Sequence, residues 1–147
     1  MPSVVTINVS GLAELAERMR TLNAKVAQSS SKKAVAAAAG VVKKASIEKA
    51  PDSDEPHKVA DTTVQPGNMK KNIVMKKVKS NLTAEYVVTV RGQRKYGYAA
   101  RYGRLVEFGT VKMGPEPFLR PAFQENIRKA IDAMAAKLAK EILKAGA

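Results

Sequence analysis

"NIVMKKVKSNLTAEYVVTVR", residues 72–91, decides the fold class. Ala84, Tyr86, Val88 and Val90 alternate with Glu85, Thr89 and Arg91. An apolar period of two, rich in β-branched and aromatic residues, is the mark of a half-buried strand. Ile73 to Lys79 reads as a second strand, and Ser80 and Asn81 supply a turn between the two. The pair therefore predicts an antiparallel hairpin.

Outward from the hairpin the period changes to that of helices. Downstream, Phe123, Ile127, Ile131, Met134, Leu138 and Ile142 form one stripe, with Glu125 and Lys129 an i, i+4 pair on the other face. That helix is expected to start at Pro121, where a missing N–H costs nothing, and to run to about Lys144. Upstream, Leu12, Leu15, Met19, Leu22 and Val26 predict an amphipathic helix, with Ser10 able to cap it. Ser29–Ser31 reads as a break. An alanine-rich helix then covers Lys32 to Ala50 and ends at Pro51. Val5, Ile7 and Val9 alternate with Thr6 and Asn8, which predicts a short first strand. The expected architecture is α+β, a small antiparallel sheet packed by N-terminal helices and a long C-terminal helix, in one domain over residues 1–147. Two segments fall outside the periodic pattern. Residues 51–68 carry three prolines and no period, and read as a long mobile loop. Residues 92–98, "GQRKYGY", read as a basic tip projecting from the sheet.

Composition narrows the function classes. Alanine supplies 23 of 147 residues, whereas Phe and Tyr together number seven and Trp is absent. Alanine buries little area, so the core is thin for the length and a partner subunit is a natural supplement. With no cysteine, disulfides, thiolate metal sites and cysteine nucleophiles are excluded. No basic segment followed by an apolar run opens the chain, and no apolar run is long enough to span a bilayer, so a soluble protein made in the cytoplasm, with no membrane partner, is expected. The net charge is +13. Between Gln65 and Arg104 stand ten Lys or Arg against the single acid Glu85. Such a window suits an acidic protein surface or a solvated face ahead of direct nucleic-acid binding.

Catalytic and metal chemistry find little support. His57 is the only histidine, and Asp52, Asp54, Glu55 and Asp61 lie near it without any metal-ligand spacing. No nucleophile elbow, phosphate loop or dinucleotide fingerprint occurs. Glu107 and Glu116 could be imagined as a carboxylate pair. Glu107 is better read as pairing with Arg101 or Arg104, or as accepting backbone N–H bonds in the turn at Gly109. Tyr96, Tyr98 and Tyr102 interleave with basic residues, as in single-strand binders, but read as packing at the base of the basic tip. No catalytic residue, metal or cofactor is expected.

The stretch "RYGRLVEFGTVKMGPEPFLRPAF", residues 101–123, combines much apolar surface with many backbone constraints. Its "YGRLVEFGT" and "PFLRPAF", leading into a C-terminal helix, closely resemble a phage tail-component family, the one named for gene product ten of a lambdoid coliphage. Upstream, "KAPDS…QPGNMKKNI" is similar to the family's "A-P-x-x-T-G-x-L-x-x-S-I" passage, with Gly67, Met69 and Ile73 at the matching places. The chain departs from that passage by an insertion between Pro51 and Gly67 and by Pro66 in place of a threonine. The resemblance spans Leu12 to Leu143. It implies a structural virion protein of a long-tailed phage, without enzymatic activity, acting as copies in a ring at the neck where head meets tail. Six-fold symmetry is favoured over twelve-fold. Implied partners are head-closure or connector proteins and tail-terminator or tail-tube proteins, with packaged DNA met non-specifically. A free basic nucleic-acid-binding protein is the alternative.

On that reading Gly109 turns the chain and Pro115 and Pro117 stiffen it. Phe108, Gly109, Pro117, Phe118, Leu119, Arg120 and Pro121 are then the expected subunit interface, against the alternative of an internal clasp on the last helix. Lys70, Lys71, Lys76, Lys77, Arg91, Arg94, Lys95, Arg101 and Arg104 are the expected contacts to channel DNA or an acidic partner.

Overall fold

The computed structural model describes residues 11–59, 61–80, 83–93, 95 and 99–146. The strand expected over Val5–Val9, the Ser10 cap, the turn residue Asn81, and Arg94, Tyr96 and Tyr98 of the basic tip lie outside them.

Helix α1 (Leu12–Arg20) is followed by α2 (Ala24–Lys49), a 26-residue helix. The break falls at Asn23 rather than at Ser29–Ser31. Asn23 caps α2, its side chain accepting from the Lys25 N–H at 3.0 Å. The serines continue the helix because their hydroxyls need no outside partner: Ser31 Oγ donates back to the Ala27 carbonyl at 2.9 Å. Val26, placed by the sequence on the first helix, thus belongs to α2.

The segment 51–68 is not without regular structure. It holds a hairpin of β1 (His57–Val59) and β2 (Thr62–Val64), in which His57 faces Val64 and Val59 faces Thr62. Val64 anchors it, being 6% exposed. Asp52 accepts from the Gly67 N–H and ties the two ends of the segment together. A single turn, α3 (Asn68–Lys71), leads into β3 (Ile73–Lys77), which pairs antiparallel with β4 (Tyr86–Val90), Ile73 opposite Val90 and Lys77 opposite Tyr86. This is the hairpin that the period-two pattern predicts.

Residues 99–108 form a helix, α4 (Ala99–Phe108), so the first part of the apolar stretch is helical rather than loop. Of the basic segment before it only Gly92, Gln93 and Lys95 lie among the described residues, and beside it the Ala100 N–H donates to the Arg91 carbonyl at 3.0 Å. The last helix, α5 (Leu119–Lys144), begins two residues before Pro121. Proline is accommodated because this position is still within the first turn, whose N–H groups have no intrahelical acceptor.

The described residues make an α+β fold of five helices and two two-stranded antiparallel sheets. Helices α2 and α5 run antiparallel, since Lys33 meets Glu141 at 2.6 Å near one end and Lys49 meets Glu125 at 2.6 Å near the other. Two apolar clusters hold them. Around the start of α5, Ala50, Met69, Ile73, Val90, Ala99, Val106 and Phe118 are buried together. Around its end, Ala34, Leu138 and Ile142 pack with Leu15, Met19, Leu22 and Met134, so α1 closes that side.

Candidate functional site

The stretch from α4 into α5 folds around one carboxylate. Glu107 is 7% exposed. Its Oε2 accepts from the N–H groups of Phe118 at 2.8 Å and Leu119 at 2.9 Å, and its Oε1 from Arg120 at 3.1 Å. The next residue, Pro121, has no N–H, and the Ala122 N–H already reaches the Phe118 carbonyl at 3.2 Å. The start of α5 therefore has every free donor satisfied by a residue of another helix. A carboxylate there also faces the positive end of the helix dipole. The expectation that Glu107 accepts backbone N–H bonds is met, but at the head of α5 and not in the turn at Gly109. Its occupied, buried oxygens leave nothing to pair with the exposed Glu116.

This cap fixes the path between α4 and α5. Phe118 is fully buried, at 0% exposure. It reaches α4 at Gly103, where an added Cβ would lie 3.3 Å from Val90 and 3.7 Å from the Phe118 ring. The internal clasp is thus what Phe118 supplies. The interface reading of this residue is corrected, because its ring fills the chain's own core and offers nothing to a neighbour.

The rest of the loop turns outward. Gly109 sits at φ 76°, and a Cβ there would fall 2.8 Å from the Pro115 nitrogen and 2.9 Å from the Met113 carbonyl, so the turn admits glycine alone. The Thr110 N–H donates to the Met113 carbonyl at 2.8 Å, and Thr110 Oγ1 accepts from the N–H groups of Lys112 and Met113 at 3.2 and 3.1 Å. The Glu116 N–H returns to the Val106 carbonyl at 2.8 Å. A stiff loop results, tipped by a completely exposed Val111, with Met113 at 40%. Beside it Phe108 is 64% exposed and Phe123, one turn into α5, is 52% exposed. Phe108, Leu119, Arg120 and Phe123 share the wall of one open recess of about 470 Å³. Of the expected interface residues, Phe108, Pro117 and Arg120 are exposed and Gly109, Leu119 and Pro121 half-buried. Sequence reasoning missed Val111, Met113 and Phe123 as surface residues. The first two lie between Gly109 and Gly114, a position that marks a turn and hence an outward tip.

The basic candidates fall into two groups. Lys70 and Lys71 of α3, Arg91 after β4, and Arg101 and Arg104 of α4 lie on elements that pack together. The Arg91 N–H donates to the Asn72 carbonyl at 2.9 Å, which holds the α3 end against the start of α4. Lys70 reaches Asp52 at 3.8 Å. Lys76 and Lys77 are exposed at the other end of the β3–β4 hairpin. Lys95 is exposed between them in sequence, and Arg94 lies outside the described residues. His57 stacks obliquely on Tyr102, ring centroids 5.6 Å apart. Among the described residues no group of three or more His, Asp or Glu is placed to hold a metal ion, and no helix is long and apolar enough to cross a membrane.

A second buried carboxylate lies at the far end of α5. Glu141 is 6% exposed and binds Lys33 at 2.6 Å, Lys137 at 3.2 Å and Lys144 at 3.9 Å. The Lys33 hydrogen bond, with that of Lys137, lowers its pKa below the ordinary glutamate value despite burial, which acts the other way.

No curated protein and no solved structure matches the chain. The family model described as bacteriophage HK97-gp10-like tail component matches residues 13–109, which take in α1 through the Gly109 turn and so the whole β3–β4 hairpin and Glu107. The chain belongs to this family of structural phage tail components, and so to the proteins of the virion.

Proposed function

We propose that the protein is a non-enzymatic subunit of the phage neck and tail, assembled as a ring of identical copies that completes the tail and joins it to the head around the DNA channel. The observation that carries this reading is the loop between α4 and α5. It is stiff, internally hydrogen-bonded and tipped with apolar side chains that its own core does not use. A preorganised apolar surface loses little conformational freedom on docking, which is what a repeated subunit contact needs. Phe108, Val111, Met113 and Pro117 form the contact, with Gly109, Leu119, Arg120 and Pro121 holding its base. Closed rings need heterologous contacts, so this surface meets a different surface of the next copy. Six copies are favoured over twelve. One face of the ring meets head-closure or connector proteins, and the other meets tail-terminator or tail-tube proteins. The basic group around α3 and α4 faces the channel or an acidic neighbour.

Two properties of the reading have opposite salt dependence. A subunit of charge +13 repels its copies, so assembly through apolar contacts strengthens as salt screens that repulsion. Contact with DNA weakens with salt through counterion release. Light scattering and electron microscopy of the purified protein across a salt series test both. Rings that grow with salt, and that Phe108→Ser with Val111→Ser turn into folded monomers, support the reading. A monomer at every salt concentration that binds DNA tightly would replace it with a free nucleic-acid-binding protein.

A further inference from the structure

The open recess between α4 and α5 joins apolar side chains to two cations. Phe108, Leu119 and Phe123 line it together with Arg104 and Arg120, both exposed. The one carboxylate in its wall, Glu107, has both oxygens taken by the N–H groups of α5 and is no partner for either guanidinium. Among the described residues no ion pair engages Arg104 or Arg120. Two free guanidiniums beside exposed phenyl rings, Phe108 at 64% and Phe123 at 52%, suit carboxylates delivered on a protein surface.

The chain itself carries such a surface. Asp52, Asp54 and Glu55 fall within one short run, and Asp54 and Glu55 are adjacent acids in a chain of net charge +13. Asp52 is committed within its own chain, accepting from the Gly67 N–H and reaching Lys70 at 3.8 Å. Asp54 and Glu55 are exposed and, among the described residues, unpaired. Their place relative to α4 is fixed by their neighbours. His57 stacks on Tyr102, and Pro51, Asp52 and Ser53 share a small cleft with Ala99 and Tyr102. Arg104 follows Tyr102 by two positions, which is about 200° around the helix. Acids and guanidiniums therefore lie on opposite flanks of α4. Leu105 and Phe108 are exposed on the outer face between them.

We infer that the recess receives Asp54 and Glu55 of a second copy of this chain, head to tail, with Leu105 and Phe108 covered in the same contact. This inference rests on the ring proposal and names the surface that the next copy brings to it. Within one copy the two flanks stay apart, so each contact uses one flank of each partner and leaves the other flank of both free until the series closes. That is the heterologous pattern of a ring. The repulsion between subunits of charge +13 is long-ranged and screened by salt. The pairs act at contact beside apolar side chains, where salt screens them less. Charge thus selects which faces meet, and the apolar surface supplies most of the affinity.

Charge reversal in the full chain tests the pairing, read by light scattering at one salt concentration with circular dichroism as the check on folding. Arg104→Glu with Arg120→Glu lowers the net charge of +13 by four, so a protein limited only by overall repulsion would assemble more readily. The inference expects the opposite, a rise of about tenfold in the concentration needed for assembly. Asp54→Arg with Glu55→Arg should be similarly deficient. These two changes touch only an exposed segment, so they test the pairing even if the arginine variant loses stability. The two variants mixed, or all four changes in one chain, should assemble as the unaltered protein does. Assembly that the reversals leave unchanged would overturn the inference while the ring proposal stands. Loss of DNA binding in that case would give the recess to nucleic acid. Failure of the four-change chain to recover, though folded, would overturn it as well. An unaltered protein that stays monomeric at every concentration would remove the ring proposal and this inference together.

Discussion

Glu107 and Glu141 are buried to nearly the same extent at opposite ends of the α5 helix, and they are held in opposite ways. Glu107 is surrounded by backbone: three N–H groups at fixed positions, with no mobile partner. Glu141 is surrounded by lysines on flexible stems, whose side chains are 53% exposed at Lys33 and 73% at Lys144. The first arrangement fixes a chain path, because moving the carboxylate orphans donors in the first turn of a helix. The second ties α2 to α5 through charges that water and salt reach. The Glu107 end also sets the outward loop that carries the proposed assembly contact. Among the described residues the Glu141 end holds no such loop. A buried acid is therefore not one kind of feature: its partners decide whether it specifies geometry or contributes adjustable attraction.

The contrast can be broken at several points. The largest effect is expected from Phe118→Ala, which empties the core beneath the Glu107 cap and should cost about 3–5 kcal/mol in denaturant unfolding. Glu107→Ala should follow at about 2–3 kcal/mol, with Glu107→Gln costing less because its carbonyl still accepts. A smaller loss for Glu107→Ala than for Glu141→Ala would reverse the comparison. Gly109→Ala should cost about 2 kcal/mol, since its φ of 76° and the atoms within 3 Å both exclude a side chain. Here the proposed assembly contact should suffer along with stability, which light scattering would read.

At the other end the expected signature is pH dependence. The folded pKa of Glu141 is lowered, so its contribution is present above the ordinary carboxylate range and lost as pH falls through the folded value. Unfolding curves of the unaltered protein and Glu141→Gln should differ at neutral pH and converge in acid. A constant offset across that range would remove Glu141 as the titrating tie. The smallest effect is expected from Lys144→Ala, about 0.5 kcal/mol or less and screened by salt, because this 3.9 Å pair is the most exposed of the three.

Much of the fold was legible in particular residues. The alternation through Tyr86, Val88 and Val90 locates β4, whereas its register with Ile73–Lys77, Ile73 opposite Val90, came only from the structure. The helix break was misplaced because serines suit both caps and turns. Only the back-bonded Ser31 and the capping Asn23 show which role each takes. The 51–68 segment hides its hairpin because three-residue strands are too short to display a period. In the candidate site, the glycine and prolines announced a constrained loop. They did not reveal which apolar residues it turns inward.

By itself the sequence determined the helical stripe of α5, the period-two strand β4 and the basic surplus, since periodicity and charge are local properties. Only the tertiary structure decided that Phe118 is core while Val111 is surface, and that Glu107 caps a helix starting 12 residues away. Both depend on α4 lying against the head of α5, and no local pattern carries the relative placement of two helices.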